Sequence, residues 1–194
     1  VVYAGRFQPF HKGHSAVYQH LIKDFGRDHV YIATSNKVEL PKSPFSFEEK
    51  KQMMLATGIP DQSIVQCRVP YQPVEITEKY DAEKTVLVFA VSQKDMEEDP
   101  RFSFAPKKDG SPSYFQPLKD IKQTENMNKH GYILTVPTFD FNVAGDPMQS
   151  ASELRAEYRV ADEKKRQLIV KDLFGRYTRE AEQIMNSKLA PQAP

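Results

Sequence analysis

Hydrophobic and polar positions follow two alternating periods along this chain. Short runs rich in β-branched and aromatic residues predict five strands, at residues 1–4, 29–34, 63–69, 85–91 and 132–136. The segments between them have helical spacing, and the run at 85–91 is apolar enough for a central, buried strand. Repeated strand–helix units of this kind predict an α/β fold with a doubly wound sheet of five parallel strands.

Helices are predicted where apolar residues recur every three or four positions. The first is expected over residues 14–25. Ser46 and Glu49 have the spacing of a capping box, which predicts that a second helix begins there. From 151 to 188 the pattern is helical, with an interruption near Gly175. The chain therefore ends in helices that follow the last strand of the sheet.

The strand–helix repeat also predicts the domain organisation. Residues 1–158 are expected to form one domain, with 159–188 as its C-terminal helical extension and 189–194 as a tail. Residues 92–128 do not fit the repeat, because they combine several proline and glycine turn signals with aromatic side chains. We expect this segment to be an ordered loop or lid whose aromatic residues cover a sheet edge or the mouth of an active site.

Composition narrows the function classes. The chain has 194 residues and a formal net charge of +1, which gives no sign of a nucleic-acid or membrane surface. No apolar run is long enough to span a bilayer, and the first residues already read as a strand and not as a signal peptide. Cys67 is the only cysteine, so an intrachain disulfide is excluded, which fits a reducing, cytoplasmic location.

The most informative segment is residues 5–14, Gly-Arg-Phe-Gln-Pro-Phe-His-Lys-Gly-His, which lies where the first strand ends and the first helix begins. Ligands of open parallel sheets bind at this end of the strands, and the free amides of a helix start attract phosphate. His11 and His14 can share one face of the first turn, where imidazolium groups could donate to phosphate oxygens. Gly13 between them would let a bulky anion approach the backbone.

The histidine pair has two other interpretations. The first is an ordinary helix start with two exposed histidines, which the flanking strand, turn and helix make less favourable. The second is a zinc site, which usually needs three protein ligands. The chain has no His-Glu-x-x-His sequence, and Cys67 lacks an obvious partner, so zinc is disfavoured.

Residues 5–14 resemble the signature of the His-x-Gly-His nucleotidylyltransferase superfamily, and most of all its archaeal-type nicotinamide-mononucleotide adenylyltransferases. Residues 42–50, Lys-Ser-Pro-Phe-Ser-Phe-Glu-Glu-Lys, resemble the family's basic residue followed by Asn/Asp-Pro-Phe-Thr-x-x-Glu-Arg. Residues 150–155, Ser-Ala-Ser-Glu-Leu-Arg, resemble its late Ser-x-Thr-x-Ile-Arg motif at a helix start. The three motifs occur in the family's order, which implies a Rossmann-like sheet of the nucleotidylyltransferase type.

The chain departs from the family pattern at several places. Ser43 stands where the family has Asn or Asp, and Lys50 replaces its usual Arg. Ser152 stands for the family's Thr, so that the hydroxyl is kept at position 152 and the positive charge at position 50. Residues 92–114 do not match the archaeal enzymes and look more like versions carried by large tailed phages.

The resemblance implies a reaction. A nucleoside monophosphate would pass from a nucleoside triphosphate to a phosphorylated small molecule with release of pyrophosphate, the expected case being AMP from ATP to nicotinamide mononucleotide, giving NAD. Because the attacking phosphate is already an anion, charge neutralisation and alignment would carry most of the catalysis. The alternatives are cytidylyl or adenylyl transfer to another phosphomonoester, and a non-catalytic nucleotide-binding or assembly role.

By the same resemblance, His11 and His14 are the expected catalytic residues, with His14 at the α-phosphate and His11 on the triphosphate nearby. The expected nucleotide- and phosphate-binding residues are Gly5, Arg6, Phe7, Gln8, Gly13, Lys42, Ser150, Ser152 and Arg155. Mg²⁺ or another divalent ion would accompany ATP and bridge phosphate oxygens, and the sequence does not identify its ligands. The expected partners are small-molecule substrates and neither nucleic acid nor membrane, and a homo-oligomer is left open.

Overall fold

The computed structural model describes residues 1–98, 102–148 and 150–190. Contacts divide these residues into two compact units. The first unit comprises Val1–Gly5, Val17–Thr34 and the described part of Val65–Thr138. The second comprises Arg6–Ala16, Ser35–Ile64 and the described residues from Phe139 on. Residues 99–101 of the predicted lid and 191–194 of the predicted tail lie outside the described residues.

The first unit is built on a six-stranded sheet. Its strands are β1 (Val2–Ala4), β2 (Tyr31–Thr34), β3 (Ile64–Gln66), β4 (Leu87–Ser92), β5 (Phe115–Pro117) and β6 (Gly131–Val136). They are arranged in the order β3-β2-β1-β4-β6-β5. β1 runs parallel to both β2 and β4, and β6 runs parallel to both β4 and β5. The order changes direction between β1 and β4, as it does in doubly wound folds.

The prediction of five strands is wrong by one. The additional strand, β5, lies within residues 92–128, which the sequence pattern assigns to a loop or lid, and its Phe115 pairs with Gly131 of β6. The strand has only three residues and ends in Pro117, which cannot donate a hydrogen bond to a neighbouring strand. Proline is confined to edge strands, and β5 is at the edge of the sheet. So short a run carries no periodicity that could reveal it.

Aromatic side chains of the same segment belong to the core of the first unit. Phe102 is buried, and its ring contacts those of Tyr71, Phe89 and Phe115 at centroid distances of 5.6, 5.8 and 4.7 Å. Edge-to-face arrangements of this kind add to the free energy gained by burying the rings. The residues after β4 therefore contribute to the core of the sheet.

The α-helices in the described part of the chain are α1 (Lys12–Phe25), α2 (Phe47–Ala56), α3 (Val74–Thr77), α4 (Gln93–Glu98), α5 (Ala151–Val160), α6 (Glu163–Phe174) and α7 (Arg179–Leu189). A small antiparallel hairpin of β7 (Asn142–Val143) and β8 (Asp146–Pro147) precedes α5. Within the described residues no helix is both long enough and apolar enough to cross a membrane.

The predicted helix ends are confirmed at two places and missed at a third. Ser46 and Glu49 form the capping box that begins α2. Gly175 ends α6 in the left-handed conformation, with φ of 79°. A second interruption was not predicted: Ala161 ends α5, and the side chain of Asp162 accepts from the amide of Lys165 to begin α6. Aspartate is a strong N-cap residue, so this signal was present in the sequence.

The second unit has its own apolar core. Fully buried side chains from α2, α5, α6 and α7 meet there, among them Met53, Tyr158, Ile169, Leu173 and Met185. Tyr158 also donates its hydroxyl to Asn186, at 2.7 Å. This core fixes α2 and α5 as rigid supports for the loops that precede them.

Candidate active site

The structure brings most of the predicted site residues into the second unit. Arg6 to His14, Lys42 and Ser150 to Arg155 all belong to it, although they come from three separate stretches of the chain. Gly5 belongs to the first unit, where its amide donates to the carbonyl of Ala33 at 3.1 Å and so extends the pairing of β1 with β2.

The turn after β1 is held by the buried side chain of Gln8. Its Oε1 accepts from the amide of Phe45 at 2.8 Å, and its Nε2 donates to the carbonyl of the same residue at 3.1 Å. Phe7, which precedes it, has a positive φ of 51°, a conformation that few non-glycine residues adopt. Gln8 was predicted to bind phosphate, but its amide group is committed to the backbone of Phe45 and fixes the turn.

Two cationic side chains hold carbonyl oxygens of the same turn. The ammonium of Lys50, on α2, donates to the carbonyl of Arg6 at 3.2 Å. The guanidinium of Arg155, on α5, donates from Nη1 to the carbonyl of Gln8 at 2.8 Å. Arg155 therefore links the last of the three sequence motifs to the first, across 147 residues of chain.

The two histidines begin α1 in a defined orientation. The amide of His11 donates to Nδ1 of His14 at 3.2 Å, and the amide of Gly13 donates to Nδ1 of His11 at 3.1 Å. A ring nitrogen that accepts carries no hydrogen, so the network assigns the proton of each neutral ring to Nε2. The rings of Phe7 and Phe10 contact His14, at centroid distances of 5.0 and 5.3 Å.

Burial determines the charge of this pair. Burial lowers the pKa of His11 to about 4. Burial, and then the neighbouring charge of His11, lowers the pKa of His14 well below its ordinary value. The imidazolium donors expected from the sequence are not present at neutral pH: both rings are uncharged and carry their proton on Nε2, because a charged ring is poorly solvated in this environment.

Gly13 is required by the packing of its neighbours. A Cβ atom at this position would lie 2.9 Å from Cε1 of His11 and 2.9 Å from Cε1 of Phe141. Phe141 precedes β7, and its ring contacts that of His11 at 5.2 Å while the ammonium of Lys12 lies 5.0 Å from its centroid. The space that the sequence analysis assigned to an approaching anion is thus filled by the rings that hold His11.

Arg6 and Lys42 are both exposed and belong to one basic cluster. The hydrogen bond from Lys37, at 2.7 Å, is the main cause that holds the pKa of Glu39 below its ordinary value, and the charges of Lys42 and Arg6 act in the same direction. Burial, and then the charge of Arg6, lowers the pKa of the Arg155 guanidinium. The charge of Arg6 is therefore close enough to Glu39 and to Arg155 to shift the pKa of both groups.

The third motif forms the start of α5. Ser150 is the N-cap: its hydroxyl accepts from the amide of Glu153 at 3.3 Å, and the Glu153 carboxylate accepts from the amide of Ser150 at 3.2 Å. The hydroxyls of Ser150 and Ser152 are 3.1 Å apart, and both side chains are exposed. The amides of the first turn, two hydroxyls and the side chain of Arg155 thus come from the six residues 150–155 at the start of α5.

These donors form a candidate site for an anion. Two imidazole N–H groups, three cationic side chains and a helix start offer hydrogen bonds and positive charge, and the Glu153 carboxylate at the helix start is occupied by the amide of Ser150. Within the described ranges no three His, Cys, Asp or Glu side chains come together as a metal site. The arrangement can bind and align a polyphosphate and stabilise charge that develops on its oxygens.

Two residues have structural roles that the sequence does not reveal. Lys50 is only 1% exposed, although it follows two glutamates and precedes a second lysine, a context typical of a solvated helix face. Phe141 comes 127 positions after the His14 motif, in a segment without a recognisable pattern. The sign in the sequence that Lys50 has a special role is its position at the end of the second motif, where the family has a basic residue.

Comparison with known proteins is consistent with this geometry. A family profile described as cytidylyltransferase-like matches residues 2–108, more than half of the chain. A nicotinamide-nucleotide adenylyltransferase of Methanolobus tindarius is 36% identical over 77 residues, which are 38% of this chain and 42% of that protein. The chain therefore spans less than half of the curated relative that it matches.

A solved structure has the same fold. A bifunctional NMN adenylyltransferase/ADP ribose pyrophosphatase from Francisella tularensis aligns with a TM-score of 0.55 and 18% identity, over 96% of this chain and 48% of that one. A structure of a bifunctional enzyme of the same description and organism, complexed with AMP and a manganese ion, aligns with a TM-score of 0.47 and 18% identity over 84% and 42% of the two chains. The alignment with a TM-score of 0.55 shows that the α/β fold with a parallel sheet is the nucleotidyltransferase fold. By its sequence the chain belongs to the cytidylyltransferase-like family.

Proposed function

We propose that this protein is a nucleotidylyltransferase that transfers AMP from ATP to nicotinamide mononucleotide, giving NAD and pyrophosphate. The observation that carries the proposal is the link between motifs in the second unit, where Arg155 of α5 donates to the carbonyl of Gln8 beside the stacked histidines. The adenylyltransferase relative from Methanolobus supports the choice of substrates.

The proposed chemistry needs positioning and charge more than a base. The acceptor phosphate is already an anion, so it attacks the α-phosphorus of ATP directly while the bond to the pyrophosphate oxygen breaks. The Nε2–H groups of His14 and His11 donate to oxygens of the triphosphate as negative charge moves onto them. Uncharged donors suit this task, because their hydrogen bonds become stronger when the acceptor is an anion. Before the ligand binds, two neutral rings do not repel each other as two imidazolium ions would.

The basic residues receive the remaining phosphates. Arg6 and Lys42 bind the triphosphate from their exposed loops. Ser150, Ser152 and Arg155 at the start of α5 hold the β- and γ-phosphates and then the leaving pyrophosphate. A planar guanidinium with two parallel N–H groups matches phosphate oxygens well, and Arg155 keeps donors in addition to the one that binds Gln8.

A divalent ion, proposed to be Mg²⁺, would arrive with the triphosphate. When bound, it neutralises phosphate charge. The described residues of the site supply cations, hydroxyls and N–H groups and no cluster of carboxylates, so they fit the phosphates and not the bare ion. Phosphate oxygens and water would supply most of its ligands, as is usual for Mg²⁺ in such sites.

A second candidate is transfer of CMP or AMP to another phosphomonoester, which the description of the matching family favours. The test is pyrophosphate release with Mg²⁺, ATP or CTP, and a panel of acceptors headed by nicotinamide mononucleotide. Release with ATP and that acceptor supports the proposal, and release only with another pair assigns the second candidate. Binding of nucleotide without release from any pair contradicts both and indicates a non-catalytic role.

A further inference from the structure

Lys50 combines almost complete burial with a positive charge. It lies on α2, is 1% exposed, and its ammonium donates to the carbonyl of Ser35 at 2.7 Å as well as to that of Arg6 at 3.2 Å. Lysine is almost never fully buried unless its charge is compensated by hydrogen bonds or ion pairs. Burial lowers its pKa to about 8, so the ammonium is mostly charged at neutral pH.

The two carbonyls occupy related places in the chain. Ser35 immediately follows β2, and Arg6 comes two residues after the end of β1. Each begins a loop that carries a cation of the proposed phosphate site: the guanidinium of Arg6 itself in one case and Lys42 in the other. A single buried ammonium therefore holds the first residues of both loops.

We infer that Lys50 is a positioning residue of the proposed site, which sets where Arg6 and the loop from Ser35 to Lys42 stand when a polyphosphate binds. Removing the ammonium leaves the carbonyls of Arg6 and Ser35 without this buried donor. These carbonyl groups then reorient to form hydrogen bonds with water, and the first residues of both loops are no longer held in place. Lys50 itself is too buried to meet a ligand that lies on the exposed cations.

A neighbouring contact supports the same role. Arg155 holds the carbonyl of Gln8, two residues after Arg6, so cations from two helices bind alternate carbonyls of one turn. The negative ends of these two peptide dipoles are thereby occupied, and they do not oppose an anion that approaches the turn. The inference rests on the proposed function, because the positions of these loops matter for binding only if their cations contact an anion.

The test measures binding of inorganic tripolyphosphate by calorimetry, together with the KM for the nucleoside triphosphate and kcat. Lys50→Met keeps the length and the apolar stem and removes the donors, whereas Lys50→Arg keeps charge and donors. Met53→Ala is the matched control, because Met53 is fully buried on the same face of α2 and is not part of the site. Assays are run well below the lowest melting temperature of the set.

We expect Lys50→Met to weaken tripolyphosphate binding and raise KM at least tenfold with a smaller change in kcat. Lys50→Arg should bind within about threefold of the wild-type protein, and Met53→Ala should lose thermal stability but not affinity. If Lys50→Met does not fold, Lys50→Gln, which is too short to reach both carbonyls, takes its place with the same expected loss. Wild-type affinity in a folded variant, or an equal loss of affinity in Met53→Ala, overturns the inference. Absence of tripolyphosphate binding by the wild-type protein overturns the proposed anion site itself.

Discussion

The imidazole rings of His11 and His14 stack with their centroids 3.7 Å apart and their planes inclined by 21°. The amide of His11 is also the donor that orients His14, so the two residues are joined through both ring and backbone. Two imidazolium ions at this distance would repel strongly in a partly buried site. The stack is therefore compatible with neutral rings, and it fixes two N–H donors side by side before any ligand arrives.

Replacing His14 with alanine tests whether these donors act on the reaction. We expect pyrophosphate release to fall by about 10² to 10³, the usual cost of removing one donor to transition-state charge. His20→Ala is the control, because His20 lies on the same helix, outside the candidate site, with a side chain that is 40% exposed and pairs with Asp24 at 3.7 Å. Equal turnover in the two variants would contradict the role of His14.

The pH dependence of anion binding distinguishes neutral rings from imidazolium ions. Burial holds the pKa of His11 at about 4 and that of His14 well below its ordinary value, so neither ring of the free protein is charged between pH 6.5 and 8. We expect the affinity for tripolyphosphate to change by less than about threefold over this range. A site that needed an imidazolium with an ordinary pKa of about 6.5 would lose about tenfold per pH unit above it. Calorimetric titrations at several pH values decide between the two.

The same low pKa makes the stability of the fold sensitive to acid. The unfolded chain binds a proton at His11 below pH 6.5, whereas the folded chain does so only below about pH 4. The contribution of the neutral His11 to the free energy of unfolding is fully present above pH 6.5. As the pH falls from 6.5 to 4, protonation of His11 in the unfolded chain decreases this free energy by at most about 3 kcal/mol. Urea unfolding at several pH values measures this slope. It should become shallower in His11→Gln and stay unchanged in His20→Gln.

Gly13→Ala tests the packing that holds His11. The new methyl group would lie 2.9 Å from the rings of both His11 and Phe141, so one of them has to move. We expect a loss of about 1 to 3 kcal/mol of stability, typical of an added methyl in a packed site, together with lower turnover. In the double variant with Phe141→Leu, which removes one of the two contacts, part of the stability should return. A stable and fully active Gly13→Ala protein would show that the rings yield without cost.

Ser150→Asp separates the structural role of this residue from its proposed role in binding. Aspartate is as good an N-cap as serine, so α5 should keep its stability, but its charge opposes a phosphate at the same place. We expect an unchanged melting temperature and a KM for the triphosphate raised about tenfold or more. The reverse exchange at the start of α6, Asp162→Ser, is the matched control and should leave both values unchanged. An unaltered KM in Ser150→Asp would limit Ser150 to capping.

The succession of strands and helices along the chain was the part of the fold that local sequence patterns could predict. Parallel strands alternating with helices followed from apolar spacing, and the capping box of Ser46 and Glu49 from its own chemistry. β5 was missed because three residues ending in Pro117 have no measurable period. Its pairing with β6 is a tertiary effect, since the strand exists only where Gly131 gives it a partner.

The candidate site was predicted unevenly for a related reason. Residue type and order identified His11, His14 and Arg155, because their chemistry is local to short motifs. The protonation of the histidines was not predictable, since it depends on how deeply Phe7, Phe10 and their neighbours bury the rings. The task of Gln8 was likewise hidden, because its hydrogen bonds go to Phe45, 37 positions away.

The hydrogen bond from Arg155 to the carbonyl of Gln8 also has a consequence for biosynthesis. Synthesis runs from the amino end, so the histidine turn leaves the ribosome long before α5 exists. During that interval the turn lacks one of its two cationic anchors, and the proposed phosphate site is incomplete. The proposed binding of a nucleotide therefore requires the synthesis of α5, and a chain truncated before this helix should lack it.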